Sequence, residues 1–478
     1  MGRSLRVMKF GGTSMGDANC IARAAQIVAG ASRDGSVVAV VSAMSGVTNR
    51  LVAAATRSEA GARDEGARLS GELRSQHEEA LAALVPEKSS RAPLLARINE
   101  HLGEVQRLCE GTAMLRELTS RTLDAISSLG ERLSALLLAG ALEEAKVRAE
   151  AVDATELIVT DSHHGGAEPI ADLTRARSTA RLRPLLQEGA VPVVTGFIGA
   201  TQDGVLTTLG RGGSDYSATI LGAALDASEV VIWTDVNGVL TADPRLVPEA
   251  GTIAEISYRE AAELAYFGAK VLHPKTLRAV MDAGIPVWIR NSFSPELPGT
   301  EITPKGRGNG GGVKALTAMG DVALISVGGP GIVGVPDVVG RTFSTTAAMR
   351  ANVLLISQSS SQNDICFIVP ADDAKRTVEA LRKEFSQDLA HQNVEHITLD
   401  PEIAIVAVVG ENMRGIPGVA GRTFSALGRS NINIVAIAQG SSESNISFVV
   451  ERGSMKAALA VTHREFGLGR HREEASTR

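Results

Sequence analysis

The tightest constraint on how this chain folds is a repeat that does not divide evenly. GRTFS occurs at 340–344 and again at 421–425, and SSSQNDICFIV (359–369) matches SSESNISFVV aligned from Ser441. Arg341 pairs with Arg422 and Gln358 with Gln439, a constant offset of 81 residues. Each copy reads strand, glycine-bearing loop, helix, strand, strand, helix, a β-α-β-β-α unit. The first copy has a fourth strand in NVEHITL (393–399), whereas the second runs into GLGRHREEASTR, too polar to be one. One strand, VKALTAM (313–319), is left over before the first copy. The count closes if VKALTAM completes the second module. The first module (322–399) is then inserted within the second (313–321 plus 400–478), and both are expected to be ferredoxin-like βαββαβ folds.

The 300 residues before the repeat follow another rule. LRVMKF (5–10), VVAVV (37–41), VPVVTG (191–196), EVVIWTD (229–235) and PVWIR (286–290) are near-continuous apolar runs separated by helical patterns. One such pattern follows Asp17, with Ile21, Ala24, Ala25 and Val28 at i, i+3, i+4 and i+7. This alternation predicts an α/β domain over 1–305, a mostly parallel sheet sandwiched by helices. Ser257 and Glu260 form an S-x-x-E capping box that opens a further helix. Residues 56–126 are charged, alanine-rich and without strand signals, as a helical excursion from the sheet would be. GRGNGGG (306–312) is a linker; its G-x-G-x-x-G lies neither after a strand nor before a helix, so it is no nucleotide fingerprint.

At 478 residues the chain is too long for one core. A net charge of −6 gives no reason to expect a nucleic-acid or membrane partner. No apolar run reaches the roughly 18 residues of a membrane span, and MGRSLRVMKFGG lacks a signal peptide's apolar core, so a cytoplasmic protein is expected. Cys20, Cys109 and Cys366 are too few and too far apart for a disulfide framework or a C-x-x-C pair, and are expected to be small buried apolar residues. No metal-ligand spacing stands out: the nine histidines do not cluster, and His163–His164 read as loop residues.

Three glycine-bearing loops follow strands or open helices: FGGTS (10–14), SAMSGVT (42–48) and LGRGGSD (209–215). Singly each is a tight turn. Together they offer backbone N–H groups and helix N-termini to anions, although none is a Walker A loop. Lys9 ends an apolar strand beside the first, either as a cation for phosphate oxygens or as a lysine whose stem packs while its amine reaches water. Arg211, among Gly210, Gly212 and Gly213, suits bidentate carboxylate recognition. Asp235 ends a strand where ligands bind in open parallel sheets, or opens an Asx-turn. Glu131 begins the helix ERLSALLLAGAL, where an acid also suits the helix dipole. Cations, phosphate-type loops and no evident general base point to phosphoryl transfer onto an acceptor already ionised. A carboxylate, with a pKa near ~4, is such an acceptor.

KFGGTSMG (9–16), TLGRGGSDYSA (208–218), WTDVNGVLTADPR (233–245) and FGAKVLHP (267–274) together resemble aspartate kinase, over nearly the whole chain. The resemblance implies an amino-acid-kinase domain followed by two ACT domains, one inserted in the other. It implies phosphorylation of the side-chain carboxylate of L-aspartate by ATP with Mg2+, giving 4-phospho-L-aspartate, the first step toward lysine, threonine and methionine. It places Arg211, with Gly212, Gly213, Ser214 and Asp215, at the aspartate α-carboxylate, and Thr48 and Glu131 at aspartate, Glu131 through the ammonium group. Lys9, Gly11 and Gly12, with Thr13 and Ser14, match the loop at the transferred phosphate; Thr234, Asp235, Arg245 and Lys270 match the nucleotide site. Leu240 stands where several family members have a tyrosine after the TDV-x-G turn.

The repeat stretches look most like the kinase part of threonine-sensitive bifunctional aspartokinase–homoserine dehydrogenases, and the resemblance implies a homodimer or homotetramer through the ACT domains. Gln358 and Gln439 end the same strand in each copy, and an amide that both donates and accepts suits a free amino acid, threonine rather than lysine. Both glutamines could instead satisfy loop backbone. The rival readings are another amino-acid kinase, such as acetylglutamate or uridylate kinase, and a catalytically inactive amino-acid sensor.

Overall fold

Alternation along LRVMKF decides which layer each side chain enters, because successive strand residues point to opposite faces. The computed structural model describes residues 4–269, 272–306, 312–329, 336–358, 364–411, 413, 416–438 and 444–469. They fall into two units, the first holding residues up to 239, 254–258 and 272–306, the second 240–253, 259–269 and the rest.

In the first unit β1 (Leu5–Phe10) is followed by α1 (Ala18–Asp34), whose buried positions are Ile21, Ala24, Ala25 and Val28, the four expected from the spacing. The Asp17 side chain caps this helix by accepting from the Cys20 amide at 2.8 Å. After β2 (Ser36–Val41) the chain leaves the sheet for α2 (Val47–Glu59), α3 (Glu65–Leu84), α4 (Lys88–Leu115) and α5 (Ser120–Ser127), the expected excursion. Then come α6 (Leu129–Glu144), β3 (Ala149–Val152), α7 (Ala171–Gln187), β4 (Val191–Thr195), the hairpin β5 (Ile198–Ala200) and β6 (Leu206–Thr208), α8 (Gly213–Leu225) and β7 (Glu229–Thr234). β8 (Glu255–Ser257) leads into α9 (Tyr258–Tyr266), which beyond Tyr258 belongs to the second unit although expected within the 1–305 domain, and α10 (Pro274–Met281), β9 (Val287–Asn291) and β10 (Thr300–Thr303) follow in the first.

The sheet order is β3-β4-β2-β1-β7-β9-β10-β8, parallel except for the β9–β10 pair. Sequence reading missed β3, β8 and β10, which are three or four residues long. Met8, Phe10, Val37, Ala39, Val41, Val193, Val231 and Trp233 face one core with α1, α2 and α6. Each large aliphatic side chain buried there contributes about 1.5–3 kcal/mol. By alternation Val7 and Lys9 face the opposite side, where α8 packs.

ERLSALLLAGAL reads as amphipathic, but α6 is buried from Leu129 to Leu142 except at Arg132. A helix apolar on every side is a core helix. Ser120–Glu144 is in fact long and apolar enough to cross a membrane by length and composition, contrary to the expectation above, and 89% of its most apolar window is buried in the fold. The cysteines also differ from expectation: Cys109 is buried, but Cys20 and Cys366 are only half-buried.

The second unit is built on two long strands, β11 (Gly312–Gly328) and β14 (His396–Glu411). Between them lie α11 (Pro336–Ala348), β12 (Leu355–Gln358), β13 (Asp364–Pro370), α12 (Ala371–Glu384) and α13 (Ser386–Ala390). After them come α14 (Val419–Arg429), β15 (Ala436–Ala438), β16 (Asn445–Glu451) and α15 (Met455–Glu465). The sheet order is β12-β13-β11-β14-β16-β15. VKALTAM, the first half of β11, pairs with the second half of β14 (Thr317 opposite Ala407), and the second half of β11 pairs with the first half of β14 (Val327 opposite Ile397). The surplus strand therefore lies beside the copy that lacked one.

The repeat persists in side-chain detail. Arg341 stacks on Phe385 at 4.5 Å and donates to Glu384 at 2.8 Å; Arg422 stacks on Phe466 at 4.6 Å and donates to Glu465 at 3.1 Å. The cores differ. That of the first copy is self-contained, whereas that of the second includes Ala242, Val247 and Ala250. His463 forms a 2.9 Å hydrogen bond with Thr241, and the Leu316 amide donates to the Thr241 carbonyl at 2.8 Å. Residues 240–253, expected within the 1–305 domain, thus pack on the second module.

Candidate active site

Two of the three glycine-bearing loops leave the C-terminal ends of the parallel strands β1 and β2, the edge at which open α/β sheets bind ligands, and the third follows β6 of the antiparallel β5–β6 hairpin. The first is fixed by Gly11 N donating to Trp233 O at 3.1 Å, the second by Ser42 N donating to Phe10 O at 3.0 Å. In the third, Leu209 N donates to Phe197 O at 2.9 Å. Ser14 adds a hydroxyl contact of 2.7 Å to Ser292, whose amide donates to Thr234 O at 2.8 Å. Thr13 is exposed and Gly12 half-buried in the same loop.

Lys9 is 8% exposed, and its ammonium lies 2.6 Å from Asp215 in the first turn of α8. A Cβ on Gly11 would lie 3.3 Å from Lys9 Nζ, so the cation sits directly against the glycine turn. Of the two readings of Lys9, the one with its amine in open water does not fit. A buried pair of this kind is costly to break, at ~3–5 kcal/mol when one partner is removed. α8 begins at Gly212 in a left-handed conformation (φ 70°) with no side-chain cap, as α2 begins at Gly46 (φ 78°), so neither helix spends a side chain on its first amides. Gly213 and Ser214 are buried in that first turn, Thr48 is half-buried in the first turn of α2, and Arg211 is exposed.

Glu131 completes the cluster. It is 3% exposed, accepts one hydrogen bond from Ala43 N at 3.2 Å, and leaves Oε2 buried without a partner. Gly130 permits this approach, since a Cβ there would lie 2.7 Å from the Ala43 Cβ. Burial pushes the Glu131 carboxyl up to about 8, against the opposing pull of the Ala43 amide and the Lys9 charge. An unsatisfied buried carboxyl beside a cation and uncapped helix ends is built to meet a ligand carrying both signs of charge.

Residues 4–291 match the amino acid kinase family, and 325–385 and 406–466 each match the ACT domain. The chain is 37% identical to the bifunctional aspartokinase/homoserine dehydrogenase 1 of Arabidopsis thaliana over 98% of its own length and 52% of the relative's. It thus spans about half the length of such bifunctional relatives. It is 30% identical to aspartokinase 1 of Arabidopsis thaliana, covering 80% of that protein. It superposes on E. coli aspartokinase III in complex with aspartate and ADP with a TM-score of 0.80, at 31% identity, covering 97% of this chain and all of the other. The same E. coli enzyme with lysine and aspartate gives 0.78 at 30% identity.

The chain belongs to the amino acid kinase family, in its aspartokinase branch.

Of the residues that the aspartokinase resemblance assigns, Lys9, Gly11, Asp215 and Glu131 come together as described. Thr234 and Asp235 stand at the end of β7, joined by a 3.1 Å hydroxyl–carboxylate hydrogen bond, with Asp235 exposed. Arg245 belongs to the second unit, is exposed, and is held by Asp243 two residues away at 2.6 Å. Gln358 is exposed at the end of β12. Lys270 and Gln439 lie outside the described residues. Sequence reasoning missed Asp124, which is 2% exposed, and took His164 for an ordinary loop residue, whereas its Nδ1 is 2.8 Å from Asp124. The local signal was an acid between the apolar Leu123 and Ala125–Ile126 of a short helix.

Proposed function

We propose that this chain transfers the γ-phosphoryl group of ATP to the side-chain carboxylate of L-aspartate, giving 4-phospho-L-aspartate and ADP. The observation that carries the reading is the Lys9–Asp215–Glu131 cluster at the strand ends, one cation and two acids held nearly out of water. A side-chain carboxylate oxygen attacks the γ-phosphorus as the bond to the ADP oxygen breaks. The nucleophile is already ionised, so no base is needed, and the protein's task is alignment and charge neutralisation. Lys9 faces the charge on the transferring group, and Asp215 keeps its ammonium in place. Glu131 receives the substrate ammonium, and the Arg211 guanidinium holds the α-carboxylate, with Ser214 and Thr48 completing the pocket.

Among the described residues no three His, Cys, Asp or Glu side chains gather as a metal site. A Mg2+ bound with the nucleotide would be held by phosphate oxygens and water, with Asp235 at the β7 end the candidate protein carboxylate. The ion supplies further charge neutralisation on the phosphates.

We extend the reading to control: free threonine, rather than lysine, inhibits through the ACT pair at Gln358 and Gln439, in an assembly formed through those domains. Lysine inhibition alone, or threonine inhibition unchanged in both Gln→Ala variants, excludes it. The activity itself is tested by ADP release with L-aspartate, L-glutamate and N-acetylglutamate as acceptors. Aspartate alone should support turnover; turnover with N-acetylglutamate, or with no acceptor, selects a rival reading.

A further inference from the structure

Asp124, in α5, is buried away from the charged cluster and accepts four donors. Thr208 Oγ1 lies at 2.6 Å, the Thr208 amide at 3.3 Å, His164 Nδ1 at 2.8 Å and the Gly165 amide at 3.1 Å. Four is about what a carboxylate can accept, so both oxygens are in full use. The donors come from two segments, the end of β6 and the 164–165 turn, which a hydrogen bond from Ala167 N to Thr208 O at 2.8 Å ties together.

Both segments bear on the loop that carries Arg211. Thr208 leads into it through Leu209, and Gly210 follows at φ +76°, where a Cβ would lie 3.0 Å from Gly165 O and 3.3 Å from Gly166 Cα. The Gly165–Gly166 backbone is therefore the wall against which the loop turns. Arg211 itself is exposed and makes no side-chain hydrogen bond or ion pair among the described residues, so its place depends on its loop. Ser128, between α5 and α6, is helical (φ −65°, ψ −22°), which puts Asp124 and Glu131, seven residues apart, on one face of a nearly continuous helix. One helical stretch thus carries both the carboxyl read as meeting the substrate ammonium and the carboxylate that anchors the arginine loop.

We propose that Asp124 is a positioning residue for recognition of the substrate α-carboxylate, setting the distance between Arg211 and Glu131 through Thr208 and the 164–166 turn. The proposal rests on the reading of Arg211 as the group that holds that carboxylate. Asp124→Asn and Thr208→Val in the full chain test it, with steady-state kinetics in both substrates and amide hydrogen exchange. Each variant should raise the aspartate KM about ten-fold, as loss of a charge-assisted hydrogen bond does, while the ATP KM and kcat stay within about two-fold of wild type. In Asp124→Asn the Gly165 and Thr208 amides should exchange faster, a readout independent of turnover. If Asp124→Asn does not fold, Thr208→Val decides, since it removes one hydroxyl and keeps the shape. Aspartate turnover with an unchanged aspartate KM, or with both KM values raised alike, overturns the proposal and leaves the proposed function standing. A wild-type chain with no aspartate-dependent turnover removes both.

Discussion

Lys9 and Arg245 are both cations that the family resemblance assigns to phosphate chemistry, and the fold holds them in opposite ways. Lys9 is 8% exposed and fixed by Asp215 from another element; the Arg245 side chain is 75% exposed and paired with a neighbour two residues away. A charge fixed in a site shielded from water acts on a transition state without reorganising first, whereas an exposed pair is screened and contributes little. The difference teaches where rate and where binding are built. Residues around Lys9 belong to strands and a buried helix of the first unit, and those around Arg245 to a segment packed on the second ACT module.

Four substitutions break or sharpen that contrast. The largest effect is expected for Lys9→Ala: kcat falls on the order of 10²–10³ while circular dichroism and melting show a folded protein. Activity within a few-fold of wild type would mean that burial of this cation serves packing only.

Glu131→Gln comes next, read through pH. With its carboxyl held up near about 8, Glu131 is mostly protonated at neutral pH in the empty site, and an arriving ammonium ion favours the carboxylate. Aspartate binding therefore strengthens as pH rises toward about 8, where more of the free site is already ionised, and weakens as pH falls. In Glu131→Gln this slope disappears, and at pH 8 the aspartate KM rises about ten- to a hundred-fold, the loss of a hydrogen-bonded charge. A pH slope that survives the substitution places the titrating group elsewhere.

Arg211→Lys should raise the aspartate KM about ten-fold and leave the ATP KM nearly unchanged, because lysine keeps the charge and loses the planar fork. A larger effect on ATP would move the loop to the nucleotide side. Arg245→Ala should be mildest, with an ATP KM raised only a few-fold and kcat near wild type, as befits an exposed, screened cation. A loss comparable to Lys9→Ala would erase the contrast.

Much of the fold is legible in the residues because periodicity reports burial directly. LRVMKF and the Ile21–Val28 stripe fold as read, and the strand count of the repeat anticipated that VKALTAM would pair beside the second copy. The short strands β3, β8 and β10 were not legible, since three or four residues cannot display a period. ERLSALLLAGAL misled because Arg132 suggested a polar face that the buried Ala135, Leu136 and Ala139 do not continue. Asp124 was beyond reach for a different reason. Its partners lie 40 and 84 residues away, and only the fold brings them together. DPRLVPEAG read as part of the first domain, because nothing local in it shows that Val247 and Ala250 share a core with Phe448.

The central claim, phosphoryl transfer to the side-chain carboxylate of aspartate, is tested most directly by trapping the product. The wild-type chain is incubated with MgATP, L-aspartate and hydroxylamine, which attacks an acyl phosphate carbonyl and releases phosphate. The account predicts aspartate hydroxamate at the side-chain carboxyl, formed in step with ADP and lost in Lys9→Ala. ADP release indifferent to aspartate, or hydroxamate at the α-carboxyl, would contradict it.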